Sequence, residues 1–201
     1  MDPLVVYFDY CSPFAYLAAE VLPGFAARAA LALRWRPIEL AQLGNYANGL
    51  PYSDIKRRYV AVDAARSAEF NGVSIRVPKP HPVSSGAALR LALVALEDAR
   101  FPDLHQALFQ AAWREQRDLG SQEILADCIA RAQGPVDDWL AEAALPETGA
   151  RLAALTTEAE SAGVFGVPSM LLDGELFWGL DSLPTLAWRL GQPRADGRPV
   201  R

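Results

Sequence analysis

Cysteine is scarce in this sequence, with only Cys11 and Cys128 in 201 residues. Two thiols so far apart exclude a disulfide scaffold. Histidine is equally scarce, with only His81 and His105. These isolated residues offer no metal-ligand spacing, so no metal site is expected. Long hydrophobic runs are missing too. Leu4-Val5-Val6-Tyr7-Phe8 is too short to span a bilayer, and the preceding Met1-Asp2-Pro3 is no positively charged leader. Neither a signal peptide nor a membrane span is expected. Positive charge is not in excess: Lys plus Arg is 19, Asp plus Glu is 24, and the net charge is −5. That balance gives no electrostatic reason to bind nucleic acid or an anionic membrane. What is present is 51% apolar and 21% charged residues, an ordinary globular composition able to bury a core. A cytoplasmic protein with free thiols is the expectation.

The most informative stretch is Phe8-Asp9-Tyr10-Cys11-Ser12-Pro13-Phe14-Ala15-Tyr16. Leu4–Tyr10 is β-branched and aromatic and reads as a strand. A helix follows from Pro13, with Phe14, Leu17, Val21 and Phe25 at helical spacing. Ser12 as N-cap and Pro13 at the first helical position mark its start. A helix N-terminus leaves N–H groups unpaired and concentrates positive potential, so a hydroxyl there can cap the helix or help hold an anion such as a thiolate. Pro23-Gly24 is expected to kink or end the helix. Leu33, Trp35 and Pro37 alternate with Arg34 and Arg36, which predicts a second strand and a βαβ unit.

Residues 41–54 are rich in Gly, Asn, Pro and Ser and read as a loop. A helix is predicted from Ile55 to about Phe70, with Ile55, Tyr59 and Val62 on one face and Asn71-Gly72 as its stop. Val77–Pro82 is a stiff Pro-rich loop. Helical runs follow over Ser85–Ala99, Pro102–Gln116, Ser121–Gln133, Val136–Ala144 and Pro146–Ala162, the last stopping at Gly163. Val167–Leu172 and Glu175–Trp178, joined by Asp173-Gly174, read as a hairpin. A closing helix is predicted over Asp181–Leu190. The layout is βαβ, a helical block, then ββα. It suggests an α/β chain with a thioredoxin-like fold and a large all-α insertion. Residues 1–40 and 163–192 form the thioredoxin-like part, 41–162 the insertion, and 193–201 a flexible tail.

Three segments carry a family resemblance. Phe8-Asp9-Tyr10-Cys11-Ser12-Pro13-Phe14-Ala15-Tyr16-Leu17-Ala18 resembles the opening of the 2-hydroxychromene-2-carboxylate isomerases, in the DsbA/kappa-class glutathione transferase branch of the thioredoxin superfamily. Gly163 to Met170 looks like that family's FGVP segment, and Phe177 to Leu183 like its W-G-x-D-x-L segment. The middle is similar from Asn48 to Tyr59, at Asp63 and Arg66, and from Ser84 to Leu91. The resemblance implies glutathione as cofactor. Its thiol adds reversibly to an unsaturated aromatic side chain, which links 2-hydroxychromene-2-carboxylate to trans-o-hydroxybenzylidenepyruvate. A homodimer is also implied.

By this resemblance Ser12 donates a hydrogen bond to the glutathione thiolate, and the plain alternative is an N-cap. Val167-Pro168 is expected to be cis, presenting the Val167 backbone to the extended glutathione peptide. Asp181 is implied to meet the γ-glutamyl ammonium, with Trp178 and Gly179 matched beside it. Ser182 stands where the family usually has Arg, and Leu180 where a polar residue is frequent. Asn48 matches a position reaching cofactor or substrate, and His81 lies near the expected substrate cleft. Lys56-Arg57-Arg58 could draw in a carboxylate, although such a run is usually a solvated face. Trp35, Trp113, Trp139 and Trp188 are expected to pack. The C-x-x-C of disulfide oxidoreductases is replaced by Ser12-Pro13-Phe14-Ala15, and Cys11 lies one place too early with no resolving thiol near it in sequence. A kappa-like transferase, a thiol-disulfide oxidoreductase and a non-catalytic binding module remain the competing functions.

Overall fold

A computed structural model describes residues 2–46, 49 and 52–191. The expected tail at 193–201 and the candidate Asn48 lie outside the described residues. The centre is a four-stranded sheet in the order β2-β1-β3-β4. Strand β1 (Leu4–Phe8) runs parallel to β2 (Leu33–Pro37), with Phe8 opposite Pro37. On its other side β1 pairs antiparallel with β3 (Ser169–Leu172), which pairs antiparallel with β4 (Glu175–Trp178). Pro37 is tolerated because β2 is an edge strand and lies at its exit. Asp173 and Gly174, with φ of 51° and 83°, make the tight hairpin turn predicted from their sequence.

Helix α1 (Pro13–Ala29) does not end at Pro23-Gly24. Proline within a helix forfeits one backbone bond and costs about 3 kcal/mol. Leu22 and Ala26, both buried, extend the packed face past that point and hold the helix together. The core face is also rotated from the expected one. Tyr16, Leu17, Leu22 and Ala26 are buried, while Phe14, Val21 and Phe25 are only partly so. The helix stops at Ala30, whose φ of 52° is left-handed.

Six helices follow: α2 (Asp54–Phe70), α3 (Gly86–Ala95), α4 (Phe101–Trp113), α5 (Gln122–Arg131), α6 (Val136–Ala144) and α7 (Pro146–Ser161). Each lies where a helical run was predicted, with ends displaced by no more than four residues. The face of α2 is reversed, however. Ile55, Tyr59 and Val62 point to solvent, and Ala64 and Ala68 make the buried side. Helix α7 closes with Gly163 at φ 88° and a bond from the Val164 N–H to the Ala159 carbonyl, the Schellman pattern. Helix α4 packs on α1, while α3 and α7 reach β2, so a continuous apolar core joins the sheet to the helical block. The closing helix α8 is shorter than predicted, Leu183–Leu190, because Leu180–Ser182 form a separate 3₁₀ turn. Trp113 and Trp139 pack inside and Trp35 is partly buried, but Trp188 is 66% exposed, against expectation. Among the described residues no helix is long and apolar enough to cross a membrane.

Candidate active site

The site grows from the turn between β1 and α1. Asp9 ends the strand fully buried. Its carboxylate accepts from the N–H of Cys11 at 3.0 Å and from the N–H of Leu40 at 2.8 Å, tying the turn to the loop after β2. Ser85 and the Cys11 thiol also approach it. Burial outweighs these bonds and raises the Asp9 carboxyl above its ordinary range. The Asp9 carbonyl accepts from the Ser12 N–H at 3.1 Å. One carboxylate and one carbonyl therefore set the path of the chain into Ser12. No expectation was attached to Asp9, although a lone acid directly after an apolar strand is a readable signal for such a clasp.

Tyr10 anchors the inner side of the turn. Its hydroxyl lies 3.0 Å from His105 Nδ1, and its carbonyl accepts from the Trp113 indole N–H at 2.8 Å. His105 sits among the rings of Phe8, Trp35, Phe101 and Phe109, at centroid distances of 4.4, 4.5, 5.2 and 5.0 Å. Burial lowers its pKa to about 3, and Nε2 has no hydrogen-bond partner among the described residues. This histidine is part of the core.

Ser12 is 6% exposed and caps α1: its Oγ accepts from the Ala15 N–H at 3.2 Å. The same hydroxyl donates to the Val167 carbonyl at 3.3 Å, longer than an ordinary O–H···O bond of about 2.8 Å. A stronger acceptor can take that hydrogen bond. Pro13 carries no N–H and Ala15 is capped, so Phe14 holds the remaining free donor of the first turn; no described residue accepts from it. Cys11 offers no comparable chemistry. Burial, then the Asp9 charge, push its thiol well above the ordinary value, so it stays protonated. Cys128 is buried on α5 and points its thiol at the Ala107 carbonyl.

The Val167–Pro168 peptide is cis, as expected. Val167 is nearly buried, yet no described residue accepts from its N–H. Such a group normally finds a partner. Pro168 is held by its carbonyl, which accepts from the Gly179 N–H at 2.9 Å and so brings the Trp178-Gly179 segment to the loop. Trp178 is half exposed and lies 5.2 Å from the Phe165 ring, with its Nε1 directly over Gly166, where a Cβ would come within 2.9 Å. Gly179 has φ 81° and space for no Cβ beside the Asp181 carboxylate. Asp181 lies in the 3₁₀ turn before α8 rather than capping it, is exposed, and has no ionic partner among the described residues. Ser182 donates instead to the Gly179 carbonyl at 2.7 Å.

The fold thus brings Ser12, Val167, Pro168, Trp178, Gly179 and Asp181 to one end of the sheet. His81 is exposed on the Pro-rich loop, with its ring 6.4 Å from that of Trp113, whose indole N–H donates to the Tyr10 carbonyl. Of the basic run, Arg57 pairs with Asp54, and Lys56 lies 4.3 Å over the Tyr52 ring.

The chain resembles known proteins in sequence and in shape. The model of the DSBA-like thioredoxin domain matches residues 3–191. A 2-hydroxychromene-2-carboxylate isomerase from Sphingobium xenophagum is 31% identical, over 90% of this chain and 93% of the relative. One from Pseudomonas putida is 28% identical, over 92% and 93%. The solved structure of a 2-hydroxychromene-2-carboxylate isomerase superposes with a TM-score of 0.85 at 25% identity, covering 94% of this chain and 95% of that one. The chain belongs to the DSBA-like thioredoxin-domain family and, within it, to the 2-hydroxychromene-2-carboxylate isomerases.

Proposed function

We propose that this isomerase uses glutathione to interconvert 2-hydroxychromene-2-carboxylate and trans-o-hydroxybenzylidenepyruvate, with Ser12 as its catalytic residue. The observation that carries the reading is the meeting of Ser12 with Val167. There a loosely engaged hydroxyl and the unaccepted N–H groups of Phe14 and Val167 gather at the positive end of α1. These groups fit a tripeptide with an anionic sulfur and a backbone carbonyl. When bound, glutathione supplies a thiol whose reversible addition frees rotation about a former double bond.

The protein's part is positional and electrostatic. Ser12 and the Phe14 N–H favour negative charge on sulfur, as donors at a helix N-terminus lower a thiol pKa. The Val167 N–H and C=O align the peptide like an added strand, Pro168 and Gly179 fix that edge, and Trp178 walls it. The exposed Asp181 carboxylate meets the γ-glutamyl ammonium. The raised thiol of Cys11 speaks for a borrowed nucleophile over a resident one.

Residues 41–162 act, in this reading, as a helical insertion covering an aromatic carboxylate substrate, on a body made of 1–40 and 163–192 in a cytoplasmic homodimer. The exposed Ile55–Tyr59–Val62 stripe of α2 offers an apolar face for a second copy. Sedimentation of wild type and Tyr59→Glu tests that assembly; a monomeric wild type would remove it.

The deciding experiment titrates glutathione against wild type and Ser12→Ala with the chromene carboxylate present, following its ultraviolet spectrum. Isomerisation returns free glutathione. Consumption of glutathione would make the chain a conjugating transferase instead, and reduction of insulin disulfides would make it an oxidoreductase. No binding and no spectral change in wild type would remove the isomerase reading.

A further inference from the structure

The loop after β2 passes directly beside the thiol site, and its side chains have no role in the mechanism above. It is tied down at three points. The Leu40 N–H donates to Asp9, the Gly44 N–H to Glu160 Oε1 at 2.7 Å, and Asn45 Nδ2 to the Phe165 carbonyl at 2.8 Å. The last contact ties the residue before Tyr46 to the loop that carries Val167. Tyr46 is 8% exposed, and its N–H donates to the Leu43 carbonyl at 2.8 Å.

Two residues beyond the start of this patch complete it. The hydroxyls of Tyr46 and Tyr52 are 3.4 Å apart, a long contact for two O–H groups. Two hydroxyls carry two protons but share one contact, so one proton has no protein acceptor among the described residues. Lys56 lies 4.3 Å over the Tyr52 ring and joins no ion pair among the described residues. Its ammonium is held there by cation–π attraction to the ring beneath it. The patch is thus aromatic, cationic and short of an acceptor.

We infer that Tyr46, Tyr52 and Lys56 form the subsite for the carboxylate of an aromatic acid, with a tyrosine hydroxyl donating to it and Lys56 supplying the charge. The inference rests on the proposed function, because that reading puts an aromatic carboxylate beside Ser12. It adds the residues that would select such a substrate over a neutral one.

The test uses salicylate, an unreactive o-hydroxybenzoate, bound to the full chain and followed by tryptophan fluorescence, with salicylamide as the neutral control. Wild type should bind salicylate and not salicylamide. Tyr52→Phe should weaken salicylate about tenfold, as expected for one hydrogen bond to a charged group. Lys56→Gln should weaken it several-fold and flatten its salt dependence. Both variants should raise KM for the chromene carboxylate in proportion, with glutathione affinity unchanged. Equal binding of salicylate and salicylamide would overturn the inference, as would salicylate affinity unmoved in both variants. Loss of glutathione affinity in Tyr52→Phe would overturn it too, by moving the pair to the cofactor groove. A wild type that binds salicylate as described but neither binds glutathione nor converts the chromene carboxylate would instead strike the proposed function.

Discussion

The turn from Asp9 to Ser12 has two sides that follow opposite rules. Inward, Tyr10 and His105 lie in a nest of rings where the Tyr10 hydroxyl and carbonyl are both engaged and His105 Nε2 alone is left without a partner among the described residues. Outward, within a few residues, the Ser12 hydroxyl is held by a long bond and two N–H groups have no acceptor among the described residues. A protein normally avoids such a surplus of donors. It is tolerable here because the inward side and the Asp9 clasp fix the backbone so firmly. The difference teaches a division of labour: packed rings and buried hydrogen bonds hold the frame, and the unaccepted donors at its rim are the groups that the proposed function assigns to a ligand. Each prediction below probes one side and asks whether the other stays unmoved.

The largest effect is expected on the rim. Ser12→Ala should lower kcat/KM of the glutathione-dependent reaction by about 10²–10³, the usual loss for one preorganised donor at a developing anion. The folded state should lose only about 1 kcal/mol, the value of an N-cap. Steady-state kinetics and thermal melts on the same preparation check both. A variant that keeps its activity would mean that the rim donors are merely structural. On the frame side, Asp9→Ala strips two buried N–H groups of their acceptor and should destabilise the fold by about 2–4 kcal/mol. Denaturant titration measures this. Asp9→Asn, which retains an acceptor oxygen, should recover a good part of it.

These two sides were unequally legible in the sequence. Of the rim, Ser12-Pro13 was readable from local chemistry, because the pair starts a helix wherever it stands, while Val167, Pro168, Trp178, Gly179 and Asp181 were read by family resemblance. Elsewhere Asp173-Gly174 and Gly163 were legible as a hairpin turn and a helix stop, and both hold positive φ. The frame was not, because burial is a tertiary outcome. Nothing in the neighbourhood of His105 says that four rings from three elements will enclose it. For the same reason the faces of α1 and α2 were misassigned: Val21 and Ile55 are as apolar as Leu22, and only packing decides which side meets the core. Pro23 was overrated as a breaker since the packed residues beyond it outweigh one lost bond. Tyr46 and Tyr52 gave no signal, as a loop rich in Gly and Asn has no period from which to place a ring.

The frame should announce itself through pH. His105 has a pKa of about 3 in the fold against 6.5 ordinarily, so the unfolded chain takes up a proton below pH 6.5 that the native state refuses. Stability from this group is therefore complete above 6.5 and is lost as the pH falls toward about 3. The slope can reach about 1.4 kcal/mol per pH unit. Asp9 works in the opposite sense. Its raised carboxyl contributes fully below its ordinary 3.8, and that contribution is lost as the pH rises through the folded value. The double variant His105→Leu/Tyr10→Phe removes the histidine without stranding the tyrosine hydroxyl. Denaturation midpoints between pH 7 and 4 should show a flatter decline than wild type. An unchanged slope would mean that His105 accepts its proton in the fold.

The smallest effect tests where frame ends and rim begins. A methyl group at position 166 would come within 2.9 Å of Trp178 Nε1. That is too close to coexist, so the indole must move. Trp178 is 46% exposed, and half its surface meets no protein that would resist the motion. The cost of Gly166→Ala to stability should therefore stay below about 1 kcal/mol, as for a surface change. The indole also leaves its 5.2 Å partner Phe165 and uncovers the edge beside Val167. If that edge receives an extended peptide, glutathione affinity should fall several-fold in Gly166→Ala while the melting temperature hardly moves. Trp178→Ala should reproduce the loss, since both changes remove the same wall. Glutathione titration by calorimetry on both variants reads this directly. Unchanged affinity in both would assign Trp178 and Gly166 to the frame, and would confine the rim to Ser12, Phe14 and Val167.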